Sequence, residues 1–215
     1  MHLPQFPRPS ARPRASLPGL LAALLLASGC ASPLPPVQWL RLPAQVPGAV
    51  APAPAPVPGA AAPAAAAWQL MAPVQLPGHL DRDALLVPQG SAGLQPLGGA
   101  RWAEPLRDAV PRLLRQDLGQ LLGAPLWAAP LPPGVRPGRQ LRLEIGALDV
   151  AADGRSVLLQ ARWSLADPSG ASAPQLGEAS FSTPADGADA DALAVAHRRA
   201  LWELARRIAA LEPRP

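Results

Sequence analysis

Leu141-Arg142-Leu143-Glu144-Ile145-Gly146-Ala147 and Val157-Leu158-Leu159-Gln160-Ala161-Arg162-Trp163-Ser164-Leu165 flank the turn Ala151-Ala152-Asp153-Gly154. In the first stretch Leu141, Leu143, Ile145 and Ala147 alternate with Arg142, Glu144 and Gly146. In the second, Val157, Leu159, Ala161, Trp163 and Leu165 alternate with Leu158, Gln160, Arg162 and Ser164. A period of two sends successive side chains to opposite faces, so both stretches read as half-buried antiparallel strands. Leu148 and Val150 fall out of phase with 141–147, which places a β-bulge near Gly146. Residues 178–182, with Ala179 and Phe181 inward, extend the meander by a third strand.

A sheet with one apolar face needs a cover, and two amphipathic segments supply it. In residues 104–122 an apolar stripe runs through Leu106, Val110, Leu113, Leu114, Leu118 and Leu121, away from Arg112 and Arg115. Pro105 suits the first turn of this helix and Gly123 its end. Pro111 is a defect inside it, with an expected kink and a cost of about 3 kcal/mol. Residues 189–211 form the second helix, with Asp189 and Asp191 at its start and Arg206 and Arg207 near its end, as the helix dipole favours. Leu193, Ala200, Leu201, Leu204, Ile208 and Leu211 face the core. Trp202 falls opposite that stripe, beside Arg198, Arg199 and Arg206. It reads either as a partner contact or as a ring covered by arginines or by the linker. Upstream, residues 68–74, 84–87 and 94–97 read as strands, with a turn at Pro77-Gly78. The class is therefore α+β: a mixed, largely antiparallel sheet with two main helices packed on it.

The amino terminus carries an address. Arg8, Arg12 and Arg14 precede the apolar run Leu20-Leu21-Ala22-Ala23-Leu24-Leu25-Leu26. That run has the length of a signal-peptide core and is far shorter than the roughly 20 residues that span a bilayer. Leu26-Ala27-Ser28-Gly29-Cys30 follows, with small residues directly before a cysteine, as in a bacterial lipobox. Cleavage between Gly29 and Cys30, with acyl chains on Cys30, would anchor the mature protein; one chain binds marginally, two or more stably. Lipidation also caps an odd cysteine in an oxidising compartment. Ala31 rather than Asp after Cys30 favours the outer membrane over the inner one. The alternative is an ordinary secretory signal with an incidental cysteine. The chain thus divides into a signal peptide (1–29), a segment holding Cys30, a short tether and a Pro/Ala-rich linker (30–67), and a folded body (68–211). Within 30–67, Val37, Trp39 and Arg41 alternate with Leu40 and Leu42, a strand with both faces partly covered. Residues 43–67 are almost only Pro, Ala, Val and Gly, a spacer or a surface excursion.

Composition and motifs narrow the chemistry. The 215 residues include 31 prolines, and all 19 basic residues are arginine. With Arg8, Arg12 and Arg14 removed, 16 arginines face 15 acids, a nearly neutral body without the basic stripe that nucleic acid requires. One cysteine excludes a disulfide framework and a multi-cysteine metal site. No H-E-x-x-H, nucleophile elbow or phosphate loop occurs. His197 lies at the edge of a core stripe, as a structural histidine does. His79, in Pro77-Gly78-His79-Leu80-Asp81-Arg82-Asp83, sits in an exposed turn that could bind a partner or form a solvated corner. Glu104 and Asp108 are one helical turn apart and could share a proton, although helix-start charge is the simpler role. The expectation is a protein without enzyme activity, metal or cofactor.

Leu76-Pro77-Gly78-His79-Leu80-Asp81-Arg82, followed after a spacer by Arg101-Trp102-Ala103-Glu104-Pro105-Leu106 and a helix ending Leu118-Gly119-Gln120-Leu121-Leu122-Gly123, resembles the ABC-type transport auxiliary lipoprotein family of the PqiC/YmbA type. The likeness covers roughly residues 68–211 and departs in two places. His79 stands where the family commonly has Tyr, and the Pro/Ala stretch is long. The resemblance implies helices on a mixed sheet in a periplasmic domain anchored to the outer membrane. It also implies, as partners, an MCE-domain protein and the inner-membrane permease and ATPase of a lipid-moving system that supports envelope integrity, and it leaves homo-oligomerisation open. His79, Leu80, Asp81, Arg82 and Trp202 are the candidate partner contacts. The competing reading is a structural lipoprotein that assembles a secretion channel or binds the cell wall.

Overall fold

The computed structural model describes residues 36–46 and 67–211. The signal segment, the Gly29–Cys30 cleavage position and most of the Pro/Ala stretch lie outside them. From Pro36 onward the chain forms one compact unit. Its strands are β1 (Gln38–Leu40), β2 (Trp68–Leu70), β3 (Ala84–Gln89), β4 (Gly93–Trp102), β5 (Leu126–Ala128), β6 (Arg139–Val150), β7 (Ser156–Ala166) and β8 (Gln175–Pro184). Helix α1 (Leu106–Leu122) follows β4, and α2 (Ala190–Ala209) follows β8. The α+β class with two main helices matches the sequence pattern. The strands divide into two mixed sheets, ordered β1-β4-β3 and β5-β2-β6-β7-β8.

The meander forms as its alternation requires. β6 pairs antiparallel with β7, and β7 with β8. Leu141, Leu143, Ile145, Val157, Leu159 and Leu165 are buried. The register shifts between Ile145 and Ala147, so Gly146 occupies the bulge that returns Leu148 and Val150 to the core face. Asp153 closes the β6–β7 turn, accepting hydrogen bonds from the N–H groups of Arg155 (2.8 Å) and Ser156 (3.0 Å). On β8, Ala179 is buried and Phe181 lies under the Arg207 guanidinium at 4.5 Å.

The helices start and stop where local chemistry dictates. Asp189 caps α2, its Oδ1 accepting from the N–H of Ala192 at 3.0 Å. α1 begins one residue after Pro105, whose carbonyl accepts from Asp108 and Ala109, and ends at Gly123 with φ 62°, a left-handed position open to glycine. Pro111 lies within α1 rather than ending it. Only the carbonyl of Arg107 loses its i+4 donor, and burial of Val110, Leu113 and Leu114 outweighs that loss.

Several elements differ from the sequence reading; β4, for one, runs to Trp102 where the pattern gave 94–97. β2 ends at Leu70 instead of continuing to Val74, because Pro73 has no N–H for the ladder; the chain rejoins β6 at a Gln75–Glu144 bridge. β5 has no counterpart in the sequence pattern: three residues between prolines become a strand only by pairing parallel with β2. The strand at Trp39 is built into the body, as β1 pairs parallel with β4 through Gln38–Ala100, Trp39–Arg101 and Leu40–Trp102.

Trp163 and Gly177 face each other across β7 and β8. The indole lies so close over the glycine that a Cβ there would collide with Cε2, Cζ2 and Nε1 of the ring. The buried, rigid indole cannot give way. Gly177→Ala is therefore expected to lower stability by about 1–3 kcal/mol, read as a reduced urea midpoint at unchanged slope.

Candidate functional site

The turn at His79 is a short 3-10 helix, Gly78–Leu80, which Pro77 initiates. Its N–H groups are satisfied locally, Leu80 donating to the Pro77 carbonyl and Asp81 to that of Gly78. Side chains then bind the turn to three elements. His79 Nε2 lies 2.5 Å from Asp149 Oδ1 on β6. Asp81 accepts from Arg107 of α1, and Asp83 accepts from Arg101 of β4 at 3.3 Å. The turn is a fixed corner rather than a loose loop.

This geometry sorts the candidate contacts. Leu80 is 8% exposed and belongs to the core, so it cannot be a contact; its apolar side chain is the reason the turn docks. His79 is half-buried and engaged by Asp149, which corrects its reading as a freely exposed residue. Asp81 is exposed but paired, and Arg82 is exposed with no ion pair among the described residues. Trp202 is half-buried, not on a wet face. α2 packs against α1 as well as against β7 and β8, a wider contact than the single stripe implied. The space between the His79 turn and α2 is about 10 Å³, room for about one water and no ligand.

The sequence reading placed Arg198 with the outward arginines, and here the structure differs most. Arg198 and Asp117 are each only 1% exposed at the side chain. Arg198 Nη1 donates to Asp117 Oδ2 at 2.7 Å and Nη2 to Oδ1 at 2.6 Å, a bidentate pair between α2 and α1. Its Nε donates to the Pro43 carbonyl at 2.8 Å, and Nη2 also reaches the Ala44 carbonyl at 3.3 Å. Gln116 Nε2 donates to the same Ala44 carbonyl at 3.4 Å. One buried guanidinium thus holds both helices and the chain leaving β1. Burial pushes the Asp117 carboxyl up, while the hydrogen bonds and charge of Arg198 pull against that rise. Part of this was visible: Asp117 follows Leu113 by four residues and Val110 by seven, which puts a carboxylate on the apolar stripe and demands a buried partner. Which cation answered it was not visible.

The remaining titratable candidates have structural employment. His197 is 2% exposed, donates from Nδ1 to the Leu193 carbonyl at 2.8 Å, and meets Trp102 edge-on with ring centroids 5.5 Å apart. Burial pushes its imidazole down; the Leu193 hydrogen bond and the Asp149 charge act in the opposite sense. Glu104 and Asp108 do not pair. Arg112 takes Glu104 through Nε (3.1 Å) and Nη2 (2.5 Å), and those hydrogen bonds hold the carboxyl below its usual range. An open groove of about 480 Å³ beside β6–β8 and Arg207 of α2 is lined by Glu144, Arg162 and Glu178 together with Gly146, Ala161 and Ala179, a mixed charged and apolar surface. Among the described residues no cluster of three metal-ligating side chains occurs, and no helix is long and apolar enough to cross a membrane.

A profile described as "ABC-type transport auxiliary lipoprotein component" matches residues 49–209. The chain belongs to this family. The match runs from the Pro/Ala stretch through the end of α2 and starts after β1, which the structure adds to the body. Two solved structures share the fold. One is an uncharacterized protein with a TM-score of 0.59 and 16% identity, covering 68% of this chain and 92% of its own. The other is a Xanthomonas campestris protein of family DUF330, with a TM-score of 0.58 and 17% identity, covering 80% of this chain and 93% of its own. No curated protein sequence matches the chain.

Two outcomes check the geometry of this family member. Arg198→Ala leaves Asp117 buried and unpaired, at an expected cost of about 3–5 kcal/mol; hydrogen exchange should quicken first in residues 36–46, which lose their tie to α2. His197 carries a depressed pKa in the folded state. As pH falls below about 6.5, the unfolded chain takes a proton that the folded site refuses, so stability drops by up to about 1.4 kcal/mol per pH unit. Urea midpoints measured above and below that pH should differ less in His197→Phe than in the parent.

Proposed function

We propose that this ABC-type transport auxiliary lipoprotein is a non-catalytic docking component, anchored through Cys30 to the outer membrane on its periplasmic face. In this reading it serves an MCE-type, Pqi-like system that moves lipids between the inner and outer membranes. The family match over residues 49–209 carries the proposal. The side chains that could have done chemistry support it. His197, His79 and Glu104 are each committed to a structural partner. Cargo would then travel in the MCE assembly while this chain holds its far end.

In this reading the order of strands bears on the reach of the anchor. β1 precedes the Pro/Ala stretch and β2 follows it, and both strands belong to one compact unit. Under the proposal, the number of residues between Cys30 and β1, not the length of the Pro/Ala stretch, limits how far the fold can stand from the anchor. Six peptide steps separate Cys30 from Pro36, at most about 20 Å of chain. A lipidated Cys30 would then limit how far the body can stand from its bilayer.

Cys30→Ala should move the protein from the membrane fraction to the soluble periplasm, and capture of the MCE protein from intact envelopes should fall with it. Unchanged membrane fractionation sinks the lipid anchor. Capture of secretin components, or sedimentation with peptidoglycan without the transporter, would support the structural-lipoprotein reading in place of transport.

A further inference from the structure

β1 exposes an apolar and cationic face beside the anchor. Leu40 and Leu42 turn into the core, whereas Val37 is 55% and Trp39 65% exposed. Arg41 follows on the same side of the alternation; it is exposed and has no ion pair among the described residues. Trp39 is in parallel register with Arg101 of β4, so the two side chains leave the same face of the sheet. Arg101 is about one-third exposed and reaches only the outlying Asp83, at 3.3 Å.

A large indole left in water on an edge strand calls for a cover. Three observations point to the bilayer itself. Trp39 is nine residues from Cys30, so at most about 30 Å of chain separates it from the acyl chains. An indole suits the headgroup level, where its ring is buried and its N–H stays wet. Arg41 and Arg101 place positive charge beside the ring, complementary to anionic phospholipid phosphates.

We propose that Val37, Trp39 and Arg41, with Arg101, form a second membrane contact that seats the outer face of β1 on the headgroups of the bilayer holding Cys30. The proposal rests on the reading of Cys30 as lipidated. It adds an orientation: β1 faces the lipid, and the body presents its other surfaces to the partner. A single acyl anchor leaves a domain free to tumble, and a second contact removes that freedom.

The only cysteine is Cys30, which acylation caps, so Trp39→Cys in the full chain offers one free thiol for an environment-sensitive dye. The labelled lipoprotein is reconstituted in phosphatidylethanolamine/phosphatidylglycerol vesicles containing a shallow spin-labelled phospholipid. Quenching at position 39, with none for the same dye at Leu176→Cys on β8, is the expected result; Leu176 is 79% exposed and controls for chance collisions. Absence of quenching at 39, equal quenching at both positions, or shielding of 39 only on addition of the MCE protein would overturn the proposal. Mass spectrometry of Cys30 in the same sample separates the two readings. A bare thiol removes the anchor, and the same dye at 39 in the Cys30→Ser chain then reports whether the face binds lipid. In the full mature chain with Cys30→Ser, Arg41→Gln should weaken binding to the anionic vesicles by roughly fivefold, with an unchanged melting curve.

Discussion

Arg198 is the constraint on which the rest of the arrangement depends. Its five N–H donors form a planar fork, and the structure uses it against a carboxylate on α1 and two carbonyls of the chain leaving β1. A buried ion pair contributes little net stability once desolvation is counted. Its effect is on specificity. An apolar α1–α2 contact could slide by a turn at small cost, but Asp117 can be satisfied only where Arg198 reaches it. The same atom set fixes Pro43 and Ala44, so the correct packing of the helices and the placement of β1 are one event.

That coupling explains why a three-residue strand can be part of this fold. β1 is too short to hold its own register, and among the described residues it pairs only with β4. Leu40 and Leu42 bury its inner face, and the guanidinium holds the chain just beyond. The long Pro/Ala stretch can then follow without loosening the strand. The consequence is an ordered edge strand whose outer face carries the exposed Trp39. Transport components of this kind gain from orientation as much as from affinity, since a docking surface that points at random engages its partner only part of the time.

The sequence and the structure agree where a single element decides its own form. Alternation over 141–165, the bulge at Gly146, the Asp189 cap and the Gly123 terminus each follow from local periodicity or backbone preference. They part where a second element intervenes. Arg198 was assigned to a wet face by a one-stripe reading of α2, yet Asp117 of α1 meets it in the interior, and Trp202 beside it is half-buried. β5 is a strand only because β2 lies beside it, and the His79 turn is firm only because Asp149, Arg107 and Arg101 converge on it from three elements.

By itself, then, the amino-acid sequence determined the α+β class, the two helices, the antiparallel meander and the family, because hydrophobic periodicity and turn chemistry are local properties. Tertiary structure alone decided that Asp117 and Arg198 meet, and that Arg198 also holds Pro43 just past the strand at Trp39. Those facts rest on contacts between residues 81 and 155 positions apart. Charge pairing and burial at such separations depend on which surfaces fold together, and no periodicity along the chain records that choice.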